Sequence, residues 1–304
     1  MSTDGSSSPP VRNIMLTIAY EGTAYRGWQV QPNGLTVQQC VETAVERLIG
    51  EPVRVLCAGR TDSGVHAVGQ VASFPTRSRI PAESFRLALQ RFLPRDIVIV
   101  RSQEVSLDFH ATYSAIRKRY RYLIFDGNVP MPFLNHLVTY FRGPLDIDAI
   151  RSALPALLGT HDFRCFETQF PNKSSSIRTV QDVTIQRLPQ WSVWSSLSVA
   201  PGTALPEPAA DEDIDLRMRH SDLKAAASPV ICFEIMADGF LYNMVRAIVG
   251  TLIPIGLRRK PPEHLAHVIS SMDRSQAGST APPEGLYLLQ VDYPAHLLQP
   301  EQSV

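Results

Sequence analysis

The sequence predicts a mixed α+β fold built from two β-α-β-β-α-β units. Three observations carry this reading. Short β-branched runs alternate with stretches of helical period. The order strand, helix, strand, strand, helix, strand can be read twice along the chain, as in ferredoxin-like units. No short-period repeat is present, which excludes a solenoid.

In the first unit, Ile14 to Tyr20 reads as a strand, and Gly22, Gly27, Pro32 and Gly34 mark a long loop after it. Thr36 caps a helix, with Gln39 placed as its capping-box partner. Val37, Val41, Ala44, Val45 and Leu48 form its apolar stripe, and Pro52 ends it. Val53 to Cys57 is a short strand, Ala58 to Gly69 a glycine-containing loop, and Gln70 to Phe74 a strand again. Pro81 opens a helix through Phe92, and Ile97 to Val100 closes the unit as a strand.

In the second unit, Arg119 to Phe125 alternates at period two, and Asp146 to Leu158 reads as a helix. Ile177 to Leu188 and Val230 to Ala237 read as paired strands, Leu241 to Leu257 and Pro262 to Met272 as helices, and Leu286 to Val291 as a strand. Between the paired strands, Pro189 to Pro229 is rich in Ser, Ala and Pro and carries the acidic run Asp211-Glu212-Asp213. A long stretch without core pattern inside a compact unit is uncommon, so it reads as a flexible surface insertion. The seam between units falls near Tyr113 to Lys118. The expected organisation is a disordered tail over 1–12, an N-terminal domain over 13–115, and a C-terminal domain over 116–304 with its insertion at 189–229.

The chain has 304 residues, enough to bury a sizeable core. Lys plus Arg total 29 and Asp plus Glu total 29, which excludes a histone-like polycation or an acidic tail protein. Neutrality overall still permits a locally basic groove. The cysteines, Cys40, Cys57, Cys165 and Cys232, are scattered and form no C-x-x-C pair. A disulfide framework or zinc ribbon is therefore not expected, and a reducing, cytoplasmic setting is. The first dozen residues lack the apolar run of a signal peptide. The longest apolar stretch, Ala247 to Leu257, is far shorter than the roughly 20 residues that span a membrane. There is no P-loop and no G-x-S-x-G elbow. His110, His161 and Asp162 match no recurrent metal spacing, so no metal site is expected.

The chemistry concentrates in three segments. In Ala58-Gly59-Arg60-Thr61-Asp62-Ser63-Gly64-Val65-His66, glycines bracket an Arg, an Asp and a His directly after a strand. Such a carboxylate, held ionised by nearby positive charge, can serve as a nucleophile or general base; a plain Asp-Ser-Gly turn is the alternative. In Arg117-Lys118-Arg119-Tyr120-Arg121-Tyr122, the tyrosines share one face and Arg119 and Arg121 the other. Arginine interleaved with aromatic rings suits RNA; an amphipathic edge strand with tyrosines inward explains it too. In Asp238 to Arg246, Arg246 is the only cation on an apolar helix. Burying a cation calls for a partner, and Asp62 is the candidate; the alternative is that Arg246 reaches solvent.

The Gly59-to-Ala67 segment resembles the active-site signature of the tRNA pseudouridine synthase A family. The resemblance extends along the chain. Ala19-Tyr20-Glu21-Gly22-Thr23 through Gly27-Trp28-Gln29 and Thr36-Val37-Gln38 is similar to that family's opening motif. Lys118 to Tyr122 resembles its central strand. His161-Asp162-Phe163 and Arg178-Thr179 match the next motif. Gly239-Phe240-Leu241-Tyr242 with Met244-Val245-Arg246 and Ile248-Val249-Gly250 resembles the C-terminal helix. Ala281-Pro282-Pro283 with Gly285 to Leu288 resembles the closing strand. Coverage runs from about Asn13 to Tyr293. The insertion departs from the short turn usual in the family.

The resemblance implies a pseudouridine synthase fold, with a largely antiparallel sheet and a central active-site cleft. It implies conversion of uridine to its carbon-linked isomer in the anticodon arm of tRNA, at positions 38–40, with no cofactor, by a homodimer. Asp62 would be the catalytic carboxylate, attacking either sugar or base. Arg60 would position or open the target nucleotide, Arg246 would pair with Asp62 and keep it ionised, Tyr120 would stack on the base, and Leu241 would wall the pocket. The base must be flipped out of its stack, at about a few kcal/mol. Candidate phosphate contacts are Arg77, Arg79, Arg117, Lys118, Arg258, Arg259 and Lys260. Two competing readings are a silent RNA-binding protein and a two-carboxylate hydrolase acting on a nucleoside or glycoside.

Overall fold

The computed structural model describes residues 9–168, 175–188 and 230–300. The expected insertion and most of the expected tail lie outside the described residues. The first unit comprises β1 (Arg12–Tyr20), α1 (Val37–Ile49), β2 (Leu56–Cys57), β3 (His66–Thr76), α2 (Phe85–Gln90) and β4 (Ile97–Val105). The second comprises β5 (Arg117–Phe125), β6 (Thr139–Tyr140), α3 (Ile147–Ala153), β7 (Gly159–Asp162), β8 (Ile177–Arg187), β9 (Val230–Ala237), α4 (Met244–Gly256), α5 (His264–Ser271) and β10 (Leu286–Asp292).

The described strands form one sheet in the order β4-β1-β3-β10-β5-β9-β8-β7, with β2 paired to β3 and β6 to β5. In both units the main strands follow the same spatial order: fourth, first, third, second. The fold is therefore a mixed α+β architecture with two ferredoxin-like units side by side in one largely antiparallel sheet. Their junction is the parallel pair β3–β10, in register only at Tyr287↔His66 and Leu288↔Ala67. A single hydrophobic cluster runs through both units, from Ile14 and Leu16 to Ile248 and Leu288.

Local chemistry explains most elements. Thr36 caps α1 by accepting from Gln39 N at 3.4 Å. Val37, Val41, Ala44 and Val45 are buried along one face of that helix. Gly50, not Pro52, ends it: its φ of +81° is the left-handed conformation that glycine adopts without strain. Asp146 caps α3 by accepting from Ala149 N at 2.8 Å. The apolar helix α4 is buried nearly all round, as expected of a core helix. It carries Pro254 in its last turns, and the Pro254 carbonyl accepts Arg259 N at 2.9 Å and Lys260 N at 3.2 Å.

The structure corrects several sequence expectations. β3 begins at His66, not Gln70. Gly69 lies inside the strand because Leu289 O approaches so closely that a Cβ would sit 2.3 Å from it. The Pro81-to-Phe92 helix is a 3-10 turn over Ala82–Ser84 followed by the six residues of α2. α4 begins at Met244, not Leu241, because Asn243 is left-handed at φ 60°. Arg12 is not tail: it starts β1, pairs with Glu104 at 3.1 Å and donates to Ile80 O at 2.9 Å. β5 is flanked by β10 and β9, a central strand as the resemblance implied and not the edge strand of the alternative reading. Its Tyr120 and Tyr122 are buried, while Arg119 and Arg121 pair with Glu234 on the other face.

Candidate active site

The loop between β2 and β3 is pinned from both sides. Tyr20 Oη and Thr61 Oγ1 are 2.7 Å apart, and Trp28 N donates to Thr61 O at 3.0 Å. Val65 N donates to Asp62 O at 3.1 Å, closing a four-residue turn. Its third residue, Gly64, has φ +80°, a conformation that favours glycine. The turn presents the Asp62 side chain to a cleft of about 850 Å³.

Arg246 reaches that carboxylate from α4. Its Nη1 donates to Asp62 Oδ2 at 3.2 Å and to Asn243 Oδ1 at 2.8 Å, and its Nε donates to Ala281 O at 2.7 Å. The side chains are 22% and 15% exposed for Asp62 and Arg246. Asp62 Oδ1 has no hydrogen-bond partner among the described residues, and the residue lines the cleft. Burial raises the Asp62 carboxyl above the ordinary range, and the Arg246 guanidinium opposes that rise. Arg246 therefore limits the desolvation effect rather than holding the group below its usual value.

His66 departs from the expectation that it would help hold the carboxylate ionised. Its side chain is buried, stacked on Tyr287 at 4.7 Å. Nδ1 accepts from Gly22 N at 3.0 Å, and Nε2 lies 3.2 Å from Glu284 O. Burial lowers its pKa, which favours the neutral ring. His66 thus ties two loops together, and Arg246 supplies the positive charge.

Of the other residues named from sequence, Arg60, Tyr120 and Leu241 line the cleft with Asp62. Arg60 is exposed and makes no ion pair among the described residues. Tyr120 is 8% exposed and meets Phe240 edge-on at 5.0 Å. Its hydroxyl is driven far above the usual range by burial, with Tyr20 and Asp62 adding to the effect. Among the phosphate-contact candidates, Lys118 alone lines the cleft, donating to Ala58 O at 2.6 Å. Arg117 is paired with Asp292, and Arg258 with Asp146. Arg77 donates to Pro9 O at 2.6 Å. Arg79, Arg259 and Lys260 are exposed, and their side chains are unpaired among the described residues. His161 is engaged by Leu158 O at 2.8 Å and Asp162 by Arg164 at 2.6 Å.

Tyr113, Arg178, Phe240, Asn243 and Leu286, which the sequence placed in motifs or at the seam without a site role, also line the cleft. Arg178 is 9% exposed and donates to Ser175 O at 3.0 Å. Asn243 sits three residues before Arg246, one helical turn, a spacing visible in the sequence. The cleft has a clear charge balance: Arg54, Arg60, Lys118 and Arg178 line it, and Asp62 is its only carboxylate among the described residues. A neutral chain therefore carries a basic groove around one acid. That suits a polyanionic substrate. Hydrolysis by a facing carboxylate pair needs a second acid that the lining lacks.

The family model described as tRNA pseudouridine synthase matches residues 16–114 and 153–294. The tRNA pseudouridine synthase A of Acetivibrio thermocellus is 42% identical over 283 residues, covering 93% of this chain and all of that protein. The protein of the same name from Thermoanaerobacter sp. is 40% identical with the same coverage. The one from Moorella thermoacetica is 40% identical over 282 residues, 92% of this chain and 99% of its own.

Proposed function

This chain belongs to the tRNA pseudouridine synthase family, and from that premise we propose a mechanism in which Asp62 is its nucleophile. The protein is an isomerase that converts uridine in tRNA to pseudouridine. The reaction breaks the bond between the sugar and a ring nitrogen and remakes it to a ring carbon. Atoms and electrons balance within the nucleotide, so the step needs no oxidant or reductant.

The observation that carries the mechanism is the lone cleft carboxylate, with Oδ2 bonded to Arg246 at 3.2 Å and Oδ1 unengaged. Oδ1 attacks the flipped nucleotide, while Arg246 stabilises the ionised form of Asp62 and fixes its direction. Tyr120 and Leu241 supply the wall against which the uracil ring rests. Arg60, exposed at the same cleft, enters the space the base vacates and offsets part of the cost of flipping. The residues 13–115 and 116–304 act as two halves closing on one cleft, since Asp62 comes from one and Arg246 from the other. The target uridines are those of the anticodon arm, and the enzyme works as a cytoplasmic homodimer. No helix among the described residues is long and apolar enough to cross a membrane.

The test uses unmodified tRNA transcripts incubated with wild type and with Asp62→Asn, followed by chemical mapping of pseudouridine by primer extension. Product in the anticodon arm with wild type alone is expected. Turnover by Asp62→Asn would remove Asp62 from the role of nucleophile, and product confined to another arm would overturn the target assignment. Sedimentation of the free enzyme reads the dimer directly.

A further inference from the structure

Tyr113 lines the same cleft, yet it is 84% exposed. Its ring contributes little to the core, and the segment that carries it is held firmly. His110 N donates to Ser114 Oγ at 3.0 Å, and Ser114 N returns to His110 O at 2.9 Å. His110 Nδ1 accepts from Thr112 N at 3.1 Å and Tyr113 N at 3.3 Å. Thr112 Oγ1 donates to Cys57 O at 2.6 Å, and Tyr293 Oη donates to Ala111 O at 2.7 Å. The Tyr113 ring lies against the His110 ring, with centroids 4.4 Å apart and planes tilted by 35°. An aromatic pair on a stiff turn, with one face free at the mouth of a basic cleft, is a surface for a planar ligand. Tyr242, 48% exposed, lines the cleft as well.

We propose that Tyr113, backed by His110, is a stacking platform for a nucleotide neighbouring the target uridine. The inference rests on the tRNA reading above. The target base must be sequestered beside Asp62, whereas Tyr113 stands almost fully in solvent; its occupant is therefore a base next to the target, unstacked when the target is flipped. Unpaired bases in RNA are held in this way by aromatic side chains with little regard to sequence. A platform for the neighbour compensates for the stacking lost on flipping, so its contribution falls on tRNA binding more than on the chemical step.

The experiment measures tRNA binding in the Asp62→Asn background, which prevents turnover, for Tyr113, Tyr113→Phe, Tyr113→Leu and Tyr113→Ala. Steady-state kinetics are measured with Asp62 intact. Loss of the ring in Tyr113→Ala and Tyr113→Leu is expected to raise Kd and KM by roughly 5- to 150-fold, the range of one base–aromatic stack. Tyr113→Phe restores binding to within about twofold, since the ring is what it retains. The slope of log K against log salt stays unchanged, because no phosphate contact is removed. Melting temperature stays unchanged in all variants, which separates the platform from a structural role. Equal binding by Tyr113→Ala and Tyr113→Phe overturns the platform, as does equal binding by Tyr113→Leu and Tyr113→Phe, which would leave only bulk. Failure of wild type to make pseudouridine would sink the underlying reading; product from wild type with undiminished Tyr113→Ala binding sinks the platform alone.

Discussion

Arg246 and Ala281 are bonded to each other twice. Ala281 N donates to the Arg246 carbonyl at 3.1 Å, and Arg246 Nε donates to the Ala281 carbonyl at 2.7 Å. The backbone ahead of β10 thus fixes both the main chain and the side chain of the residue that meets Asp62. Nearby, Gly278 N donates to Thr251 Oγ1 at 2.8 Å, so the same segment is strapped along α4. The geometry at Asp62 depends on this strap as well as on the pair itself.

Asp62→Asn is expected to abolish isomerisation without loss of fold. Arg246 keeps two other acceptors, Ala281 O and Asn243 Oδ1, so its guanidinium stays hydrogen-bonded although it loses its ion partner. The Asp62 carboxyl is raised in the folded state, mainly by burial. Its contribution to stability is therefore full below the unfolded carboxyl pKa and is lost as pH rises through the folded one. The variant should melt no lower than wild type at pH 7, and that relation should weaken or reverse in acid. Calorimetry across that range reads the sign.

If Asp62 is the nucleophile proposed above, the pH profile of single-turnover rate should show an acid limb above the ordinary carboxylate range, since the ionised form is the one that attacks. Arg246→Gln removes the charge that opposes the rise, so the limb should move to higher pH. The rate at neutral pH should fall by about 10²-fold or more, the scale of losing one preorganised charge at a reacting group. A limb left in place in Arg246→Gln would detach the cation from the titration of Asp62.

Asn243 holds Arg246 while occupying a left-handed backbone, and its Nδ2 donates to Thr168 Oγ1 at 2.7 Å. Asn243→Gly relieves the backbone but loses both side-chain bonds; Asn243→Ala loses the bonds and adds strain of about 1 kcal/mol. Both should lower kcat, and Asn243→Ala should lower the melting temperature more than Asn243→Gly, by the added strain. Full activity in Asn243→Gly would show that Arg246 needs no such support.

Gly250→Ala should destabilise the protein by more than about 2 kcal/mol, the scale of a core clash that forces backbone to move. A Cβ at that position would sit 1.7 Å from Ser279 O, which is backbone of the strap. Urea unfolding measures the change, and activity should fall with it because Ala281 shifts. An unchanged midpoint would mean that the strap yields freely.

Salt titrations should sort the cations. Replacing Lys118 or Arg60, both in the cleft, by Ala should reduce the slope of log K for tRNA by about one unit each. Replacing Arg258 should leave the slope unchanged, because its charge is already neutralised by Asp146. Equal slopes in all variants would move the phosphate contacts out of the cleft.

Elements with a strong period were legible in the sequence: the apolar stripe of α1 and the Val230–Ala237 strand appear with little or no change. The lone cation on an apolar helix correctly pointed from Arg246 to a carboxylate 184 residues away. Gly69 misled because a glycine that permits close backbone approach inside a strand looks like loop composition. The left-handed Asn243 and the strap at 278–281 were invisible, since both are matters of backbone placement with no periodic signature. His66 lay in the right motif but plays another part, because sequence adjacency does not say which face of the chain a side chain takes. Tyr113 was read as part of a seam between units, and exposure alone separates it from the buried tyrosines nearby.

The last strand in chain order among the described residues, β10, occupies the middle of the sheet. Until the ribosome has delivered it, β3 at His66–Ala67 and β5 at Arg117–Tyr122 lack their neighbour on that side, and such edges invite pairing with other chains. A chain released before residue 286 therefore exposes two adhesive borders, lacks Leu286 from its cleft and is directed toward aggregation. Delivery of β10 therefore closes those edges and completes the lining of the cleft at the same moment.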